Sequence, residues 1–120
     1  MLDNGNILLF DNGAHRRGMN FSKVIEIDPK TNEITWEYQG DPPLSFYSYN
    51  ISSAERFPNG NTLVCEGAPG RVFEITQDGE IVWEYISPFF VENLPTAGGS
   101  RFGNVNAVFR AHRYAEDHPA

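Results

Sequence analysis

The 120 residues include a single cysteine, Cys65, so the chain cannot form an internal disulfide. It also has no long apolar run: none approaches the roughly 20 residues that a membrane-crossing helix requires, which argues against a membrane span. Basic tracts are missing too, with 9 Lys and Arg set against 16 Asp and Glu for a net charge of −7. Binding a phosphate backbone needs clustered cations, so this balance argues against nucleic acid as a partner. The opening residues, "MLDNGN", have neither the basic start nor the apolar stretch of a signal peptide. No metal-ligand spacing is visible, because the cysteine is alone and the three His are far apart. Helical periodicity is lacking as well: 11 Gly and 8 Pro interrupt the chain, and no long stretch keeps a 3.6-residue period. The remainder is globular in character, 40% hydrophobic and 13% aromatic, enough for one small domain with a modest core.

The chain repeats itself. Asn4-Gly5-Asn6 returns as Asn59-Gly60-Asn61, 55 residues on, and Trp36-Glu37-Tyr38 returns as Trp83-Glu84-Tyr85, 47 residues on. The difference lies between Phe10 and Val24, where the first copy has the longer loop "DNGAHRRGMNFS" against "EGAPG" in the second. A strand-built period near 50 residues indicates a propeller-type array.

Alternation marks the strands. Leu63 and Cys65 share one face of a strand, Phe73 and Ile75 repeat Ile25 and Ile27, and Ile81, Trp83 and Tyr85 repeat Ile34, Trp36 and Tyr38. Asp78-Gly79 is a strong hairpin signal, and "DPKTN" makes the corresponding, slightly longer turn in the first copy. The expected fold is all-β: a propeller fragment of about two four-stranded antiparallel blades plus one further strand. The first repeat (about 3–38) holds strands near 6–10, 23–28 and 33–38, and the second (about 51–86) holds strands near 51–57, 61–66, 71–76 and 80–86. "NVNAVFRAHRY" supplies a terminal strand over about 104–114, so 1–120 forms a single partial domain. Closing a ring takes roughly four to eight blades. Either several chains assemble or a longer parent protein supplies the rest, and the parent is the expectation. Apolar side chains at the uncovered ends, such as Phe10, Ile27 and Trp36, should then be unusually exposed.

Loop lengths indicate where function lies. "FPNGN", "DPKTN" and "TQDGE" are tight turns at one end of the strands, whereas the long loops "DNGAHRRGMNFS", "QGDPPLSFYSYN" and "EGAPGR" gather at the other. Binding residues usually sit on such loops, carried by a rigid scaffold.

In their order, "NGNILLFDNG", "EIDPKTNEITWEY", "FYS", "NGNTLVCEG", "GEIVWEY" and the closing "NAVFRAHRY" resemble the C-terminal part of arylsulfotransferase-type β-propellers, over nearly the whole chain. Single pieces are shared with quinoprotein-like and WD40-type repeats. The resemblance implies a six-bladed bacterial enzyme, periplasmic or extracellular, that moves a sulfuryl group between phenols through a sulfated histidine. It implies no cofactor, no nucleotide donor and no metal. The partners would be a small aryl sulfate or phenol and the remaining blades of the parent, with the fragment alone inactive. Arg16 or Arg17 takes the place of the arginine that holds the sulfate after the family's "LFDNG" loop. By alignment, Arg71 stands where the family has its nucleophilic histidine, which keeps open a non-catalytic ligand-binding or scaffold module.

The residues can also be weighed without the resemblance. Sulfuryl oxygens are negative, so transfer needs fixed cations together with an acid or base. "AHRRG" offers His15, Arg16 and Arg17 in succession, and a guanidinium fork suits an oxyanion; the plainer reading is a soluble turn. His15 is the catalytic candidate, and Asn12, Arg16, Arg17, Arg71 and Tyr47 are the candidate anion and substrate contacts. Phe46 and Tyr47 are placed to stack an aromatic acceptor. Arg71 either serves an anion or pairs with Glu66. Trp36 and Trp83 fit an inter-blade core better than a ligand platform, His112 fits a structural role, and His118 lies in a Pro-containing tail.

Overall fold

The computed structural model describes residues 1–89 and 106–114. Seven strands form in chain order: β1 (Ile7–Asp11), β2 (Lys23–Asp28), β3 (Glu33–Tyr38), β4 (Ser52–Arg56), β5 (Thr62–Glu66), β6 (Arg71–Ile75) and β7 (Ile81–Ile86). The only helical element among the described residues is a single 3-10 turn, Pro43–Ser45. The strands make two antiparallel meanders, β1-β2-β3 and β4-β5-β6-β7. The chain is therefore all-β, with sheets of three and four strands consistent with a propeller fragment.

The duplication extends to hydrogen bonds. Leu2 N–H donates to the Asn6 carbonyl and Gly5 N–H to that of Leu2, and Phe57 and Gly60 repeat both bonds with Asn61 and Phe57 as acceptors. Gly60 holds φ +90°, a left-handed conformation that glycine adopts freely, which is why Asn-Gly recurs at both turns. Each sheet also has a register shift at the same point of its last hairpin, between Glu26 and Ile27 and between Glu74 and Ile75.

The core lies between the sheets. Cross-strand pairing puts Leu8, Phe10, Val24, Trp36 and Tyr38 on one face of the first sheet. That face packs on Ala54, Val64, Phe73 and Ile75 of the second sheet. Phe46, fully buried, sits at the centre, with ring centroids 5.3 Å from Phe10, 5.4 Å from Tyr38 and 5.5 Å from Phe73. Burial of each such side chain contributes roughly 1.5–3 kcal/mol. The sequence suggested Phe46 as a stacking platform for ligand. The structure makes it core instead, because its loop folds back between the sheets.

Two further expectations change. Phe10 and Trp36 are packed in the joint, and Ile27 alone of the three faces outward; exposed apolar side chains include Trp83 and Tyr85 of β7, 47% and 43% exposed. Residues 106–114, within the expected terminal strand, adopt no strand. The segment lies on the face of the second sheet, with Val108 and Ala111 against Leu63, Cys65 and Val72, and no strand of a further blade is present among the described residues to pair with it.

Candidate functional site

The loops after β1, β3 and β5 meet at one end of the sheets, held by two fully buried serines. Ser22 hydroxyl donates to the Asn12 carbonyl at 2.9 Å and accepts the Ser48 N–H at 2.9 Å. Ser48 Oγ lies 2.7 Å from the Asn50 carbonyl oxygen and accepts the Ala68 N–H at 2.9 Å. The loops containing Asn12 and Gly67 are thus tied to the same residue, on the shared end that loop length indicated. Asn12 works as a tie rather than a free donor: its Nδ2 stands 2.6 Å from the Ser48 carbonyl and 3.0 Å from that of Asn50.

Next to this hub the β1–β2 loop and the outer face of the first sheet border a wide-open cavity of about 640 Å³. Leu9 and Ile25 form its apolar floor, and Asn12, His15, Arg16 and Tyr49 its polar wall. A tight turn sets the wall. Asp11 Oδ1 accepts the Gly13 N–H at 3.0 Å, and Arg16 N–H reaches back to the Gly13 carbonyl at 3.2 Å. Gly13 sits at φ +69°, and a Cβ there would stand 2.0 Å from the Phe21 carbonyl oxygen, so no other residue fits without a shift.

The turn fixes Arg16. Its Nη2 pairs with Asp11 Oδ2 at 2.6 Å and its guanidinium lies 4.6 Å from the Phe21 ring centroid. Its Nε is buried and has no partner among the described residues. His15 and Arg17 are exposed and have no hydrogen-bond or ion-pair partner among the described residues. One anchored cation therefore has an exposed cation and an exposed imidazole as its sequence neighbours.

Arg71 is placed differently. It donates to Glu84 at 2.8 Å and to Glu66 at 3.3 Å, and covers the Phe73 ring at 4.3 Å. The pairing with Glu66, one of its two readings from sequence, is present. It lines a separate cavity with Tyr38, Asp41 and Ser45, so Arg16 and Arg71 do not share one. Burial pushes the Glu66 carboxyl above its ordinary range, against the Tyr47 N–H and the Arg71 charge. Burial acts against the Arg71 cation, but Glu84 and Glu66 outweigh it and raise its pKa. Tyr47 is half-buried, and its N–H donates to Glu66 at 2.6 Å. Tyr49, which sequence reasoning missed, faces the cavity at 57% exposed; its alternation with Tyr47 in "FYSYN" was the available signal.

His112 lies 3.3 Å from Glu55 at the surface, and His118 lies outside the described residues. Among the described residues no group of three His, Cys, Asp or Glu side chains is arranged to hold a metal, and no helix is long and apolar enough to cross a membrane.

A protein-family model described as arylsulfotransferase (ASST) matches residues 1–88. No curated protein and no solved structure matches the chain.

Proposed function

Since the chain belongs to the arylsulfotransferase family, we propose that it forms part of a propeller that transfers a sulfuryl group between phenolic compounds, and that its β1–β2 loop supplies part of the anion site. The observation that carries this reading is Arg16: a guanidinium held at a cavity wall by Asp11 and Phe21. A fixed cation loses no reorganisation energy when negative charge develops on the sulfuryl oxygens. Arg17 adds a second, exposed charge and His15 an exposed imidazole beside it. Leu9, Ile25 and Tyr49 offer an aryl ring an apolar floor and a stacking edge. The remaining blades would belong to a parent protein of the periplasm or extracellular space, and no cofactor enters this reading.

One observation favours a second reading, a ligand-binding or scaffold module without the covalent step. Arg71, aligned with the family's nucleophile, is committed to Glu84 and Glu66. A transfer assay on the parent propeller with a chromogenic aryl sulfate and a phenol acceptor separates the two: binding without turnover supports the module.

Arg16→Ala and Arg17→Ala are each expected to weaken aryl-sulfate binding by about 1.5–3 kcal/mol, the range for a charge-assisted contact. Isothermal titration measures it. Unchanged affinity in both single variants and in the double variant would remove this loop as the site.

A further inference from the structure

The loop between β3 and β4 reaches the candidate site on one side and the second sheet on the other. Glu66 holds it on the side of the second sheet. This residue ends β5 and, two positions beyond Val64, faces the joint with its side chain only 4% exposed. Its Oε2 accepts the Tyr47 N–H at 2.6 Å, and its Oε1 accepts Arg71 Nη1 at 3.3 Å. Arg71 is its cross-strand partner on β6, and the same Nη1 lies 3.5 Å from the Ser45 carbonyl oxygen. The pair therefore grips the loop on either side of the buried Phe46.

From Tyr47 the contacts run on to the cavity wall. Ser48, the next residue, accepts Asn12 Nδ2 at its carbonyl, and the Asn50 carbonyl accepts the same amide at 3.0 Å. Asn12 Nδ2 also lies 3.1 Å from the Ser52 hydroxyl. Between these acceptors stands Tyr49, which lines the cavity with Asn12. Where segment 47–50 runs thus decides where both wall residues stand. The Ala68 N–H bond to the Ser48 hydroxyl ties the same segment at 2.9 Å. Glu66 adds a charge-assisted bond, the stronger kind.

A carboxylate is a costly choice for packing alone. Burial opposes its ionised form, as the raised Glu66 pKa records. An apolar side chain of similar volume would fill the space without that cost, and Arg71 would keep Glu84 at 2.8 Å as its partner. Such a side chain could not accept the Tyr47 N–H.

We propose that Glu66 is a positioning residue for the candidate site. It latches the β3–β4 loop at Tyr47 and thereby sets Asn12 and Tyr49 at the wall where an aryl sulfate binds. It acts through the loop and touches no substrate. The wall is an aryl-sulfate site only on the reading proposed above, whereas the latch can be observed without ligand.

NMR spectra of the ligand-free 120-residue chain test the latch, and a phenyl sulfate titration of the same samples tests its effect. Glu66→Ala should move the Asn12 side-chain amide and the Tyr49 backbone amide resonances. It should also weaken phenyl sulfate binding roughly two- to tenfold, the range of one neutral hydrogen bond. Glu66→Gln, which keeps an acceptor for the Tyr47 N–H, should restore both. Leu63→Ala truncates the other face of β5 and should lower stability in urea while leaving those resonances in place. If Glu66→Ala does not fold by circular dichroism, Glu66→Met replaces it, since Met fills the volume and offers only a weak acceptor. Resonances that stay in place in the Glu66 variant, that move equally in Leu63→Ala, or that move without loss of affinity would each overturn the inference. So would a failure of Glu66→Gln to restore them. A wild-type chain that ignores phenyl sulfate, while loss of Glu66 still moves Asn12, would refute the aryl-sulfate reading and uphold the latch.

Discussion

Phe73→Ala is expected to destabilise the chain by about 3–5 kcal/mol, the cost of removing a buried aromatic side chain and leaving its cavity. Phe73 is fully buried at the middle of β6 and touches both sheets. Its ring centroid is 5.5 Å from Phe46 and 5.9 Å from Tyr38, and the Arg71 guanidinium covers it at 4.3 Å. Phe46 comes from the β3–β4 loop and Tyr38 from the first sheet, so three segments lose a common neighbour together. Urea unfolding of wild type and variant measures the difference. A loss below about 1 kcal/mol would be that of a partly exposed side chain and would contradict the inter-sheet core.

Arg56→Met is expected to cost a comparable amount, about 3–5 kcal/mol at neutral pH, because it leaves the Glu26 carboxylate buried without its cation. The pair crosses the joint at 3.1 Å, with the Glu26 side chain 8% and the Arg56 side chain 17% exposed. Burial alone would raise the Glu26 pKa, but hydrogen bonds from Asn6, Asn4 and Arg56 outweigh it and hold the carboxyl below its ordinary range. A depressed folded-state value means that this stabilisation is present above the ordinary carboxylate pKa. It is lost as the pH falls through the folded-state value. Wild type should therefore lose part of its advantage over Arg56→Met in acid. Melting curves over an acid-to-neutral series measure it, and a gap that widens toward low pH would contradict the assignment.

Much of this joint can be read from sequence, because its strands are defined locally. Alternation in "KVIEI" and "RVFEI", punctuated by Asn-Gly and Asp-Gly, gives strand, turn and repeat together, and the coordinates add only which face meets which. Phe46 was not legible. In a long loop beside Tyr47 it resembles a ligand platform, and only the fold-back of that loop between the sheets, closed by Ser22 and Ser48, makes it core. Residues 106–114 misled for a related reason. Their pattern is that of a strand, but the opening strand of a further blade needs that blade's other strands to pair with, and none is present among the described residues.

The candidate site was legible in part. "AHRRG" marks the cationic loop, and the structure adds the Asp11 and Phe21 clamp on Arg16. Sequence left two roles open for Arg71. The side chain lies between Glu66 of β5 and Glu84 of β7, the two strands that flank β6, a placement set by register and not visible in spacing. The Asn12 tie to the Ser48 loop spans 36 residues and leaves no local trace in sequence.

The most direct test of the central claim, that the β1–β2 loop binds an aryl sulfate, is an amide NMR titration of the 120-residue chain with phenyl sulfate, with phenol as control. Saturable shifts are expected at Asn12–Gly18 and at Tyr49, with the Arg16 Nε–H resonance moving in parallel, and phenol should leave that resonance in place. Shifts that do not saturate, or that centre on Arg71 and leave Asn12–Gly18 unmoved, would contradict the claim.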